Sequence, residues 1–365
     1  MATRDGRLIR GRGAAENPAN RFERTRHEID PEADDPDLAE AQARPATQFL
    51  PDASRSIVAT NDSPDIPFDA SLNPYRGCEH GCAYCFARPS HEYLGLSAGL
   101  DFETTILVKH DAPALLRKAL ASPRWTPKVL SVSGVTDAYQ PVERKLRITR
   151  GCLEVLAEFR NPVAIVTKNA LVARDADLLG GLARHHAAAV FLSVTTLDDD
   201  LARRLEPRTS PPSRRLAAIE SLTAAGVPTG LMVAPVIPGL NDQEIPAILA
   251  AGAKAGARHA GYVPLRLPGA VGPLFEAWLD RHEPGRKAKI LARVRSLRGG
   301  KLNDARFGDR MRGQGAFAAI IDAVFQASCR REGLNAERLR LSTDAFRRPE
   351  VDGRGARQMS LFDEL

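Results

Sequence analysis

VAIVTKNALVARDADLLGGLARHHAAAVFLSV, spanning Val163–Val194, sets two short apolar runs (163–168 and 189–194) around a Leu-rich segment of helical spacing at Arg174–His185. The same alternation continues on both sides. TTILVK (104–109) and KVLSVS (128–133) precede it, and PTGLMVAP (228–235) and ARHAGYVPL (257–265) follow. Helical patterns at Ala112–Leu120, Lys145–Phe159 and Arg214–Ala225 fill the gaps, and Gly226-Val-Pro reads as a helix stop followed by a strand start. Strands separated by helices must run parallel and be joined by right-handed crossovers, so an α/β sheet or barrel follows. Six such units predict a partial (βα)6 barrel of TIM type rather than the full eight. In barrels of this class the C-terminal ends of the strands line the site. That rule gathers Ser133-Gly134, Lys168-Asn169, Ser193-Val194-Thr195 and Pro235 around one mouth.

Outward from this core the texture changes. Residues 1–65 carry turn formers and charges with few apolar residues in register, which predicts a largely disordered or loosely draped segment. The core domain is read as 66–268. After Pro268 the strand signal fades, and residues 269–350 read as a helical extension with helices at 273–297 and 314–332, followed by a flexible tail at 351–365. A chain of 365 residues with 43% hydrophobic and 26% charged residues has an ordinary globular composition. No apolar run approaches the roughly 18 residues of a membrane span, and MATRDGRLIRGRG has no apolar stretch behind its basic residues. The expected location is therefore the cytoplasm, with no membrane partner. The net charge of +6 is unevenly spread: Leu265–Leu365 holds 20 Lys/Arg against 13 Asp/Glu. Such an excess attracts polyanions, and phosphate contact dominates sequence-independent nucleic-acid binding. An Arg-rich solvated surface is the competing explanation.

Three of the five cysteines fall within eight residues, in Asn73-Pro-Tyr-Arg-Gly-Cys78-Glu-His-Gly-Cys82-Ala-Tyr-Cys85-Phe-Ala-Arg88. Clustered thiols indicate a metal or redox site rather than a disulfide framework. Cys78, Cys82 and Cys85 can wrap one face of a [4Fe–4S] cubane and bind three of its irons, whereas electron-transfer clusters usually take four cysteines. One iron is then open to an outside ligand, as catalytic sites require. Zinc with His80 or His91 as a fourth ligand is the competing reading, although zinc sites usually come as two separated pairs. Cys152 and Cys329 read as buried small hydrophobes on helices.

The C-x3-C-x2-C spacing with Tyr84 before the last cysteine resembles the signature of the radical SAM superfamily. Asn73-Pro-Tyr-Arg-Gly, Thr167-Lys168-Asn169, Leu205-Glu-Pro-Arg-Thr-Ser-Pro-Pro-Ser-Arg-Arg215 and Gly230-Leu-Met-Val-Ala-Pro-Val-Ile-Pro-Gly239 resemble its spore photoproduct lyase branch, in order over roughly 68–265. The resemblance implies that the open iron chelates S-adenosylmethionine and that an electron from the cluster cleaves it to methionine and a 5′-deoxyadenosyl radical. It also implies that Tyr84 contacts the adenine and that Lys168 and Ser193 bind the cofactor carboxylate. Ser133, Gly134, Thr136 and Asp137 would stand where the family's glycine-rich segment meets the methionine amino group, with Gly134 allowing close backbone approach. One departure narrows the carry-over. Spore photoproduct lyases place a hydrogen-donating cysteine at the end of the second strand, where this chain reads Ser133-Gly134-Val135.

The tail Gln358-Met-Ser-Leu361-Phe362 resembles the short peptide by which bacterial polymerases and repair proteins dock on the sliding clamp, with Leu361 and Phe362 filling an apolar pocket and Gln358 anchoring. The expected function is a radical SAM enzyme acting on DNA, by lesion repair or base modification, with an electron donor such as flavodoxin or ferredoxin. The alternatives are a radical enzyme acting on RNA, peptide or small molecule, and a non-enzymatic iron–sulfur sensor or scaffold. No residue of the chain is assigned as the catalytic hydrogen donor.

Overall fold

The computed structural model describes Ile9, residues 11–23 and residues 45–349. Gln358, Leu361 and Phe362 of the clamp-like motif lie outside the described residues. Among the described residues ten strands form two sheets. The larger is built from β2 (Val58–Thr60), β3 (Ala70–Leu72), β6 (Leu130–Val132), β7 (Val163–Thr167), β8 (Ala188–Ser193), β9 (Thr229–Val236) and β10 (His259–Pro264). Its strand order is β10-β9-β8-β7-β6-β3-β2. Every pairing from β3 to β10 is parallel, and β2 is added antiparallel at the β3 edge. Six parallel strands in chain order, each next to the one before, make the expected partial barrel.

One of the six is not the strand expected. The run at 104–109 forms β5 (Thr105–Val108), which belongs to a separate three-stranded sheet with β1 (Gln48–Pro51) and β4 (Tyr75–Arg76). The first barrel strand is β3 instead. The connection from β4 to β5 carries the cysteines, a 3-10 turn at Arg88–Leu94 and a short helix at Asp101–Thr104, neither long enough to span a parallel crossover, and β5 pairs antiparallel with β4. Bonds from Lys109 N to Pro74 O (3.0 Å) and from Cys78 N to Phe102 O (2.9 Å) close this brace at the root of the loop.

The crossover helices are α1 (Ala112–Ala121), α2 (Ile148–Phe159), α3 (Ala176–Ala183), α4 (Pro212–Ala224) and α5 (Ile245–Lys254). Each turns a stripe of apolar residues inward: Leu116 and Leu120, Leu153 and Leu156, Leu179 and Leu182, Ile219 and Leu222, Ile248 and Leu249 are all buried. Cys152 on α2 and Cys329 are buried among them, as small hydrophobes. After β10 come α6 (Val271–His282), α7 (Lys287–Ser296) and α8 (Gly315–Arg331), with Pro284-Gly285 breaking the first expected helix in two. These helices share cores with the barrel. Phe275, Trp278, Leu279, Ile290 and Val294 pack in one cluster with Cys82, Ala83 and Tyr84. The barrel's open edge is closed by a side chain: Asn335 accepts from Ala260 N (2.8 Å) and donates to Ala260 O (2.9 Å). The chain then passes under the N-terminal ends of the strands, where Ser342 N meets His186 O and Arg347 N meets Phe159 O, each at 2.9 Å.

The described parts of residues 1–65 are not loose. Gly13 N and Ala14 N donate to the buried carboxylate of Glu103 at 3.0 and 2.8 Å, and 48–51 and 58–60 are strands. These described stretches are held by polar contacts to distant segments rather than by an apolar pattern of their own, which composition does not show.

Candidate active site

Cys78, Cys82 and Cys85 sit on the loop after β4, over the C-terminal ends of the barrel strands. Its turns pass through Gly77 (φ 81°) and Gly81 (φ 66°), a backbone region that favours glycine. The loop is pinned from several sides. Ala83 N donates to Leu205 O (2.9 Å), and Glu79 N donates to Gln140 Oε1 (2.9 Å). Glu79 accepts from Val142 N (2.7 Å) and pairs with Arg208 (2.9 Å). The guanidinium of Arg88, wholly buried, donates to Cys82 O from Nε (3.1 Å) and Nη2 (2.9 Å).

All three cysteines are free, with Cys78 and Cys82 buried and Cys85 part-exposed. Burial pushes each thiol above its ordinary range; Asp137 and the other two thiols add to this at Cys78, and Glu206 and Cys85 add to it at Cys82. Thiols held neutral by their surroundings in this way suit a cationic centre that would bind them as thiolates. Among the described residues, no three His, Cys, Asp or Glu side chains converge on a single ion position. In a cubane each thiolate binds its own iron, so the donor set fits the cluster.

The strand ends bring Lys168 and Tyr84 together around a carboxylate that sequence reasoning did not assign. Glu206, buried, accepts from the Tyr84 hydroxyl, from Thr195 and from Arg215 Nη2, and lies 3.3 Å from Lys168 Nζ. Lys168 Nζ also donates to Ala234 O (2.8 Å) and lies 5.7 Å from the centre of the Tyr84 ring. Burial alone would raise the Glu206 carboxyl. Arg215 and Lys168, with the hydroxyls of Thr195 and Tyr84, hold it well below the usual carboxylate range. Arg215 donates in turn to Ser193 O (2.8 Å) and Ser210 O (2.7 Å). Ser193 is thus joined to the group through its backbone, and its hydroxyl makes no hydrogen bond among the described residues. Glu206 and Arg215 lie in the stretch 205–215 that resembled the lyase branch, but nothing local shows that this Glu and this Arg face each other.

The β6 loop is knitted to the cluster loop. Asn73 Oδ1 accepts from Gly134 N (2.8 Å) and Val135 N (3.1 Å), and Thr136 donates to Gly77 O (2.6 Å). Asp137 accepts from Lys168 N (2.9 Å) and Thr167 Oγ1 (2.7 Å) and lies 3.4 Å from His80 Nδ1. Against the cost of burial, His80 and these bonds hold its carboxyl below the ordinary range. A Cβ at Gly134 would come no nearer than 3.8 Å to the protein, and the left-handed residue of this turn is Ser133 (φ 78°), whose hydroxyl accepts from Ala138 N. His80 sits between Asp137 and Asn169 Nδ2 (3.2 Å), and His91 lies against Thr105 O (2.9 Å).

The family model described as Radical SAM superfamily matches residues 72–251, from the end of β3 into α5. This chain belongs to the radical SAM superfamily. The cofactors of that superfamily are a [4Fe–4S] cluster and S-adenosylmethionine. An uncharacterised protein of Mycobacterium tuberculosis is 37% identical over 234 residues, covering 64% of this chain and 68% of its own. An uncharacterised protein of Methanocaldococcus jannaschii is 28% identical over 47% of this chain and 62% of its own. Among solved structures, spore photoproduct lyase complexed with dinucleoside spore photoproduct superposes with a TM-score of 0.57 at 17% identity, over 78% of this chain and 80% of that one. At that identity the likeness is one of fold. No helix among the described residues is long and apolar enough to cross a membrane.

Proposed function

We propose that this radical SAM protein is an enzyme that acts on DNA, repairing or modifying a base. Cys78, Cys82 and Cys85 hold the cluster, Tyr84 faces the adenine, and Lys168 with the free Ser193 hydroxyl receives the cofactor carboxylate. Charge supports that last role: Lys168 and Arg215 against Glu206 leave one positive charge over, matched by one carboxylate from a ligand. When bound, the cluster supplies the electron that cleaves S-adenosylmethionine, and a flavodoxin or ferredoxin would deliver it. The chain's own groups orient the cofactor and keep water out.

The observation that carries the DNA reading is a row of side chains beside Cys85. Phe86 is 50% exposed, with the Arg266 guanidinium 5.3 Å from its ring centre. Phe307, 61% exposed, carries Arg310 at 4.5 Å in the same way, and Arg266 and Arg310 are close enough to depress the former's pKa, though burial contributes more. Arg266 Nε has no hydrogen-bond partner among the described residues. Arg310 is paired with Asp65 and Ser63, so Arg266, which makes no salt bridge among the described residues, is the cation left for a phosphate beside two exposed aromatics. Aromatics interleaved with such cations are the means by which proteins hold unstacked bases and their phosphates. The solved lyase of like fold has a dinucleoside bound, which supports the same substrate class.

The test is a panel of damaged oligonucleotides incubated with the reconstituted, reduced protein and S-adenosylmethionine. Turnover of one lesion is expected, and Phe86→Ala should weaken oligonucleotide binding by about 1–3 kcal/mol per lost stacking contact while 5′-deoxyadenosine formation persists. Formation of 5′-deoxyadenosine with RNA or peptide but never with DNA would move the function to the competing class. The clamp-like tail is a second element of the proposal. A bacterial sliding clamp should retain the full chain, and Leu361→Ala/Phe362→Ala should abolish that retention without changing 5′-deoxyadenosine yield. Equal retention of both proteins would remove the tether.

A further inference from the structure

Residues 12–22 lie across the outer side of the cluster loop, ahead of the family-matched region that begins at 72. Gly13 is pressed so closely on this loop that a Cβ there would stand 1.7 Å from Gly81 O and 3.1 Å from Ala83 N. Its N–H and that of Ala14 donate to Glu103, whose fully buried carboxylate also receives Arg88. Arg88 holds the carbonyl of Cys82 with two of its nitrogens. A continuous set of bonds thus runs from the segment through Glu103 and Arg88 to the central cysteine. Arg12 adds bonds of 2.9 Å each to Glu103 O, Pro45 O and Thr47 Oγ1.

Downstream the contacts continue. Leu100 N donates to Glu16 O (3.2 Å), Ser97 Oγ donates to Pro18 O (2.7 Å), and Asn17 and Asp101 bond reciprocally at 2.7 and 3.0 Å. Asn20 Nδ2 donates to Glu92 O (2.9 Å) and Leu96 O (3.0 Å). Without the segment, Glu103 keeps Arg88 but loses two of its donors, and a buried carboxylate short of donors is costly.

We propose that this N-terminal segment is a built-in cover for the iron–sulfur site, with Gly13 and Arg12 as positioning residues that keep the Cys78–Cys85 loop closed. The inference rests on the assignment of the cluster to these cysteines. Gly13 must be glycine because any side chain would enter the Gly81 carbonyl. Arg12 ties the cover to the stretch at 45–47 that leads into β1.

Two measurements test it, on Gly13→Val, Arg12→Ala and, as a control at an exposed position of the same segment, Glu23→Ala. In full-length apoprotein, alkylation of the cluster cysteines by iodoacetamide is followed by peptide mass spectrometry, with buried Cys329 as internal reference. In reconstituted protein, loss of the visible iron–sulfur absorbance is followed in air. Gly13→Val should speed both by about tenfold, as expected when a local opening equilibrium shifts by one decade. Arg12→Ala should speed both less, and Glu23→Ala should match the parent, with Cys329 slow throughout. If Gly13→Val also exposes Cys329, it has unfolded and Arg12→Ala decides. Parent-like rates for the cluster cysteines in folded Arg12→Ala and Gly13→Val overturn the cover. Slow alkylation in the parent and fast alkylation in the variants, with no iron bound by any protein, would keep the cover and discard the cluster assignment.

Discussion

Cys82→Ala is expected to lose iron–sulfur absorbance on reconstitution and to form no 5′-deoxyadenosine above background, a fall of about a thousandfold or more in a reaction wholly dependent on its cofactor. The expectation rests on the proposed ligand set: two remaining thiolates leave two irons of a cubane without protein ligands. The fold should survive. Cys82 is held by its backbone, through Arg88 to its carbonyl, and the lost side chain is small, so the cost to stability is about 1–2 kcal/mol. Cys152→Ala is the matched control, since Cys152 is buried in α2 among barrel residues and should leave iron content unchanged. A Cys82→Ala protein that keeps both iron and 5′-deoxyadenosine formation would falsify the cluster assignment.

The second large effect concerns stability. Arg215→Met removes the chief partner of Glu206, both side chains being 1% exposed. Breaking one half of a buried pair costs about 3–5 kcal/mol, because the survivor stays buried and unpaired. For a chain of this size that corresponds to a melting temperature lower by about 4–7 °C. Lys168 is the only other cation at Glu206 among the described residues, and it should be drawn closer, weakening S-adenosylmethionine binding as well. Pairing Arg215→Met with Glu206→Gln should restore part of the stability, since the uncompensated charge is then gone.

The pH dependence follows with a definite sign. The folded carboxyl of Glu206 titrates below its unfolded value of 4.5. Its contribution is therefore full above that value and is lost as pH falls toward the depressed folded value. In Arg215→Met the folded value rises, so urea midpoints should fall less steeply with acid than in the parent. Equal acid slopes in the two proteins would show that Arg215 is not what holds this carboxyl ionised.

Much of the barrel could be read without coordinates. Val163–Thr167, Ala188–Ser193 and Thr229–Val236 are apolar runs bounded by polar residues, and each became a strand within a residue or two of its expected ends. Lys168, at the end of such a run, duly stands at the mouth. The first barrel strand escaped because Ala70–Leu72 is three residues long, too short to show a period. The run at 104–109 misled for the opposite reason. Its pattern is that of a strand, but pattern does not say which sheet a strand joins, and the helical pieces before it, Arg88–Leu94 and Asp101–Thr104, are too short to carry a parallel crossover.

The buried charges mark the boundary most clearly. In a chain with 51 Lys and Arg, no single arginine stands out, so Arg88, Arg215 and Arg12 could not be told from surface residues. Their roles depend on what they meet: Glu103 lies 90 residues from Gly13 and 15 from Arg88. The three thiols are a different case. Their spacing lies within eight consecutive residues, so the linear order alone specifies a donor set and the family that uses it. Which carboxylate neutralises which guanidinium, and which glycine lies on the cluster loop, was decided only when distant segments packed. Such pairings are enforced by the cost of burying an unpaired charge, and that cost exists only in the folded chain.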